Sequence, residues 1–286
     1  MDIQVVPAEV QQVSELGRIC FEAFKEVQEG RQFPLDWPTI AVARNALGML
    51  VQRPDFYSVA ALVNGEVVGS NFLSLMDAVA GVGPITVDLA FQGKGIGRAL
   101  MTEVIEYAGR NHIESVRLQQ DAFNVASLSL YASLGFEVKV SVAVMQATPA
   151  PEANGSVRPV TEADLPVIEE LSTRIYKTSR RNEVAAALRF GFSPLLRERQ
   201  GRITGYSIVG LLGHSVAETE EDSLTLLGEA ARRLQPEAPL FFCPLSEASL
   251  YRKALKAGCR TIKVMNYMTL GPYAPPNEVW LPSVLY

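Results

Sequence analysis

Cysteine and histidine are scarce in this chain: three and two residues among 286. Cys20, Cys243 and Cys259 are odd in number, widely spaced and form no C-x-x-C, which argues against a disulfide framework and a zinc ribbon and leaves buried free thiols as the expectation. His112 and His214 have no partner at metal-ligand spacing, so no metal site is expected. Long apolar runs are missing as well. No stretch approaches the ~18 residues of a membrane span, and the opening MDIQVVPAEV lacks the charged and apolar regions of a signal peptide. The expectation is a cytoplasmic protein without a membrane partner. Positive charge is in deficit, with 26 Lys and Arg against 31 Asp and Glu for a net charge of -5, and no basic stripe interrupts it. Nucleic acid is therefore not an expected partner.

What is present suits a soluble protein of about two domains, with 48% hydrophobic and 20% charged residues. A short strand over residues 2–7 precedes a helical pattern from Val10 to Val27, with Val13, Leu16, Ile19, Cys20 and Phe24 on one face. The stretch EGRQFPLDWP, with Phe33, Leu35 and Trp37, reads as a loop, and residues 39–52 return to helical spacing before Pro54. YSVAALV, Asn64-Gly65 and EVVGSNFLSL read as a hairpin with a type I′ turn. Residues 82–89, VGPITVDL, read as one strand leading into FQGKGIGRAL. A helix, the strand SVRLQ, a short helix closed by Gly135 and the alternating strand FEVKVSVAVM follow.

FQGKGIGRAL concentrates Gly93, Gly95 and Gly97 directly ahead of a helix whose Leu100, Val104, Ile105 and Ala108 repeat at helical spacing. Glycines let consecutive backbone N–H groups face one concavity, and a helix N-terminus adds unpaired donors and a favourable dipole, so the loop suits phosphate. A P-loop would need a hydroxyl after its lysine, whereas Gly95 follows Lys94; a dinucleotide fingerprint would need a glycine or alanine where Arg98 stands. The pattern that fits is Q-x-x-G-x-G at Gln92, Gly95 and Gly97.

That pattern resembles the pyrophosphate loop of the GNAT superfamily, the acyl-CoA-dependent N-acyltransferases. The element order through residue 146 resembles that fold too: α/β, an α+β arrangement on a mixed sheet. ATPAPEANG, residues 147–155, has linker composition. Beyond it, ALKAGCRTIKVMNYM repeats YASLGFEVKVSVAVM at a shift of 123 residues, which aligns Gly135 with Gly258 and Met145 with Met268. In that register Ala254 stands where the first half has Tyr131, and Glu247 where it has Asn124. HSVAETEEDSL replaces the glycine loop and gathers Glu218, Glu220, Glu221 and Asp222, whose like charges oppose an anion. The chain is thus expected to carry a catalytic GNAT domain at 1–146, a linker at 147–155, a GNAT-like domain at 156–271 that has lost its cofactor site, and an extended tail at 272–286. With the ending WLPSVLY it resembles a bacterial tandem-GNAT group.

The resemblance implies acetyl-CoA as cosubstrate. Its pyrophosphate would lie on N–H groups of Gln92, Gly93, Lys94, Gly95, Ile96, Gly97, Arg98 and Ala99, with the Lys94 or Arg98 side chain assisting. Its pantetheine arm would pair with Val87, Asp88 and Leu89 and meet Asn124. Tyr131 would face the thioester sulfur as general acid, since a phenol with a pKa of about 10 is protonated at neutral pH. Many relatives place a carboxylate base ahead of Val87, but Gly83, Pro84, Ile85 and Thr86 stand there. Asp77 and Asp121 remain as bases acting through water, with turn and cap roles as the alternative. Phe33, Leu35 and Trp37 either line an acceptor pocket or anchor their loop in the core. Trp280, Leu281, Leu285 and Tyr286 mark the tail as an extended strap that closes the acceptor site or supports a homodimer. The reading is an acetyltransferase acting on the primary amine of a small molecule; the alternative is a non-catalytic acyl-CoA-binding or interaction module.

Overall fold

A computed structural model describes residues 1–286 apart from 32, 209, 211, 212 and 235–238, so Gln32 of the first loop lies outside the described residues. The elements are β1 (Ile3–Pro7), α1 (Val13–Glu29), α2 (Ile40–Gln52), β2 (Phe56–Val63), β3 (Glu66–Ser74), β4 (Ala80–Val82), β5 (Thr86–Val87), α3 (Ile96–Arg110), β6 (Val116–Asp121), α4 (Val125–Ser133) and β7 (Glu137–Gln146). After the linker come β8 (Val157–Pro159), α5 (Leu165–Tyr176), α6 (Arg181–Arg189), β9 (Leu195–Arg199), β10 (Arg202–Ser207), β11 (Ser215–Ala217), α7 (Glu220–Arg233), β12 (Leu240–Pro244), α8 (Ala248–Lys256), β13 (Arg260–Leu270) and β14 (Val279–Leu281). No helix or strand lies between Gln146 and Val157. None of the described helices is long and apolar enough to cross a membrane.

Two compact units result: Met1–Leu118 with Asn124–Glu137, and Gln119–Phe123 with Val138–Tyr286. In the first, β2 and β3 form the expected hairpin, with Val63 opposite Glu66 and positive φ at Asn64 (52°) and Gly65 (83°), as a type I′ turn requires. β1 joins the outer edge of β2, and α1 buries Cys20 together with Leu16 and Ile19, the latter two each contributing on the order of 1.5–3 kcal/mol by leaving water. The helix begins at Val13, three residues later than its apolar pattern, because Val10–Gln12 form a tighter 3-10 turn.

The single strand expected over residues 82–89 is two short strands separated by a cis Gly83-Pro84 bond. β4 pairs with β3 and, in parallel, with β6 (Ala80 opposite Val116); β5 pairs with β3 alone, Gly69 opposite Val87. Pro84 has no N–H to give a ladder, and past it the outer edge of β5 carries no strand among the described residues.

In the second unit β8, β9, β10, β11 and β14 form one sheet, ordered β14-β11-β10-β9-β8. β7 pairs with β12, Val144 opposite Phe242, and the end of β6 lies beside β13, where Ala122 N donates to Val264 O at 3.1 Å. Each half's last long strand therefore pairs with the strand before the final helix of the other half. The boundary at 146, drawn from sequence, thus differs from the boundaries of the compact units: local pattern places β7 in the first repeat, and hydrogen bonding places it in the second unit.

Candidate functional site

The cofactor-contact residues and Tyr131 expected from sequence lie in the first unit, whereas the candidate base Asp121 falls in the second. β5 passes into a 3-10 turn at Leu89–Phe91, capped by Asp88, whose Oδ1 accepts from Ala90 N at 2.9 Å. Gln92 Nε2 donates to Val87 O at 3.2 Å and so closes the turn on the strand. Gly93 (φ 73°) and Gly95 (φ 88°) then turn the chain in the left-handed region, which residues with a Cβ rarely adopt. α3 starts at Ile96 with Gly95 as N-cap; no side chain caps it and its first turn holds no acid. Its leading N–H groups therefore face outward beside a loop exposed from Gln92 to Gly95.

The two loop cations rest on the chain itself. Lys94 Nζ donates to Ala90 O at 2.9 Å and lies 5.0 Å from the Phe91 ring centre; Arg98 Nη2 donates to Ser133 Oγ at 2.8 Å. The second contact ties the first turn of α3 to α4, the helix that bears Tyr131.

The strip Val87, Asp88 and Leu89 is not uniform. Asp88 N donates to Val68 O at 2.9 Å, so that N–H is committed to the sheet, and strand alternation turns Val87 N–H to the open edge. Of the strip, Val87 has the geometry of a ligand donor, whereas Asp88 has that of a cap. The Asp88 carboxylate also pairs with Arg18 Nη2 at 2.7 Å, and Arg18 reaches Glu15 and Glu22 besides. Burial pushes the Asp88 carboxyl upward, but the Arg18 guanidinium and the Ala90 N–H outweigh it and hold it below its usual range. An Asp whose folded pKa is depressed adds stability above its unfolded pKa, about 3.9, and loses it as pH falls. Asp88→Asn keeps the cap oxygen and removes the charge. It should cost about 1 kcal/mol at pH 7, with the deficit narrowing as pH falls below the ordinary carboxylate range in paired thermal melts; equal stability at pH 7 would contradict the pair's role.

Asn124 is the N-cap of α4, its Oδ1 accepting from Ser127 N at 3.2 Å. Tyr131 is buried at 7% exposure with its ring centre 6.1 Å from that of Phe136. Gly135, at φ 95°, ends the helix as the sequence implies. Asp121, a candidate base, lies 2.9 Å from the Lys263 ammonium, itself 8% exposed, and that pairing favours a structural carboxylate. Trp37 packs edge-on against Phe24 (6.2 Å) in the cluster of Leu16, Cys20, Leu47, Ala60 and Phe72, which is core anchoring of its loop. Burial pushes the Cys20 thiol far up, so it is inert.

The Arg18–Asp88 tie is absent from the sequence reading. Glu15, Arg18 and Glu22 show the i, i+3 and i, i+4 spacing of a helical ion cluster, a signal for half of the contact; Asp88 enters only through the fold.

The matching corner of the second unit is closed differently from the expected charge repulsion. Glu218 is bonded to Arg174 and Arg202, Asp222 to Arg197 and Arg199, and Glu220 to Lys253, so much of that negative charge is offset. The start of α7 is occupied instead: Thr219 Oγ1 caps Asp222 N at 3.1 Å, and Glu220, Glu221 and Asp222 fill the first turn.

Residues 20–136 match the profile of the Acetyltransferase (GNAT) family. The chain is 38% identical over 89 residues to an N-acetylaspartate synthetase of Xenopus tropicalis, which covers 30% of this chain and 33% of that protein. It is 33% identical over 105 residues to the N-alpha-acetyltransferase RimI of Mycobacterium tuberculosis, covering 35% and 61%. In fold, it is similar to a candidate acetyltransferase from Pyrococcus horikoshii, with a TM-score of 0.79 at 17% identity over 99% of this chain and 94% of that one. A tandem GNAT protein from the clavulanic acid biosynthesis pathway gives a TM-score of 0.59 at 16% identity, over 96% and 100%.

Proposed function

We propose, for a chain whose residues 20–136 belong to the acetyltransferase (GNAT) family, that it transfers the acetyl group of acetyl-CoA to the primary amine of a small molecule. The observation that carries this reading is the open N-terminus of α3, reached through two left-handed glycines and capped by no side chain. It offers several N–H donors to a diphosphate in one concavity.

Acetyl-CoA supplies an activated thioester. The N–H groups from Gln92 to Ala99 hold its pyrophosphate, and Lys94 and Arg98 exchange Ala90 O and Ser133 Oγ for phosphate oxygens. The outward N–H of Val87 polarises the thioester carbonyl, and the Asn124 amide steadies the pantetheine arm. Tyr131 gives its hydroxyl proton to the departing sulfur as the C–N bond forms and the C–S bond breaks, and the proton lost by the amine nitrogen passes to solvent, from which the phenol is restored. No carboxylate stands at Gly83–Thr86 and Asp121 is held in an ion pair, which leaves Asp77 as the candidate base acting through water. Acceptors whose ammonium group loses its proton near neutral pH need that base least.

The test is multiple-turnover release of CoA thiol across a panel of primary amines. At least one amine should drive release well above the rate without enzyme. Acetyl-CoA binding without turnover on any amine would favour the rival reading, a non-catalytic acyl-CoA-binding module.

A further inference from the structure

The repeat register pairs Glu247 with Asn124 and Ala254 with Tyr131, and β11 is the strand that leads into α7 as β5 leads into α3. In the first unit the outer edge of β5 carries no strand among the described residues. In the second, one segment of the chain lies along β11 and packs with α8. β14 pairs antiparallel with β11, Val216 opposite Trp280 and Ala217 opposite Val279. Burial raises the Glu247 carboxyl, and the Trp280 indole draws it partly back. Val279 and Leu281 share an apolar cluster with Phe241, Cys243, Leu250 and Ala254.

The same segment is locked by a buried polar network. Arg180, fully buried, donates through Nη1 to Tyr286 O at 2.9 Å and through Nη2 to Ser283 Oγ at 3.2 Å, and lies 3.7 Å from the Tyr286 ring centre. Tyr176 packs edge-on against Trp280 at 5.4 Å. An arginine so buried is costly unless its donors are met; the segment meets two of them, and Glu183 accepts from Nε and Nη2.

We propose that residues 279–286 are a built-in stand-in for a cofactor arm: they occupy permanently, in the second half, the strand edge that the first half leaves open for acyl-CoA. This goes beyond the acyltransferase reading but rests on its placement of the cofactor in the first half. The second half is then a filled scaffold, one acyl-CoA binds per chain, and the segment is a core element that no ligand displaces.

Amide exchange on the intact chain, with and without acetyl-CoA, tests this alongside Trp280→Ala. Amides of residues 279–281 should exchange as slowly as those of β11, with no change on adding acetyl-CoA. Trp280→Ala should lower the Tm by on the order of 10 °C while the acetyl-CoA Kd moves less than twofold. Rapid exchange across 279–286, or faster exchange there with two acetyl-CoA bound per chain, would overturn the proposal. The exchange rates without ligand decide it even if acetyl-CoA fails to bind, so failure of the first-half reading is told apart.

Discussion

Gly95→Val should abolish acetyl-CoA binding, raising Kd at least about 100-fold, or ~2.8 kcal/mol. Gly95 sits at φ 88° as the N-cap of α3, and a β-branched residue is strained there. An added Cβ would meet no protein atom within 4 Å, so the fold has room for the side chain; what changes is the aim of the Ile96 and Gly97 N–H groups and the space above them. Gly65→Val is the matched control. It has φ 83° and equally open space, but it lies in the hairpin turn. It should lose similar stability and keep its affinity. Equal affinity in Gly95→Val and the intact chain would mean that the loop holds no phosphate.

Tyr131→Phe should lower kcat by roughly 100-fold while the acetyl-CoA Kd stays within twofold. Phenylalanine fills the same volume against Phe136, so packing is conserved and only the proton donor is removed. A fall in both quantities together would assign Tyr131 to binding. Unchanged turnover would remove it as the acid.

Local features were legible in the sequence for local reasons. The Asn64-Gly65 turn, the glycines ahead of α3 and Gly135 after α4 all declare positive φ through residue type alone. Helical period exposed Leu16, Ile19 and Cys20 as the buried face of α1, and the repeat register related Tyr131 to Ala254. What stayed hidden depends on partners remote in sequence. The alternation of β7 does not disclose that its neighbour is β12, because period two specifies faces and not mates. Glu218 and Asp222 looked repulsive because Arg174, Arg202, Arg197 and Arg199 reach them from other elements. For Asp88, a one-residue difference in strand register decides whether its N–H faces β3 or the open edge, and residue type does not disclose it. The tail was recognisable as an apolar strap from Trp280 and Leu281, but not as the fifth strand beside β11.

Calorimetric titration of acetyl-CoA into the intact chain, repeated with excess inorganic pyrophosphate, tests the central claim most directly. One site per chain with micromolar Kd, weakened competitively by pyrophosphate, is the predicted result. No binding, or binding indifferent to pyrophosphate, would contradict the assignment of the α3 N-terminus as a diphosphate site and the acetyltransfer built on it.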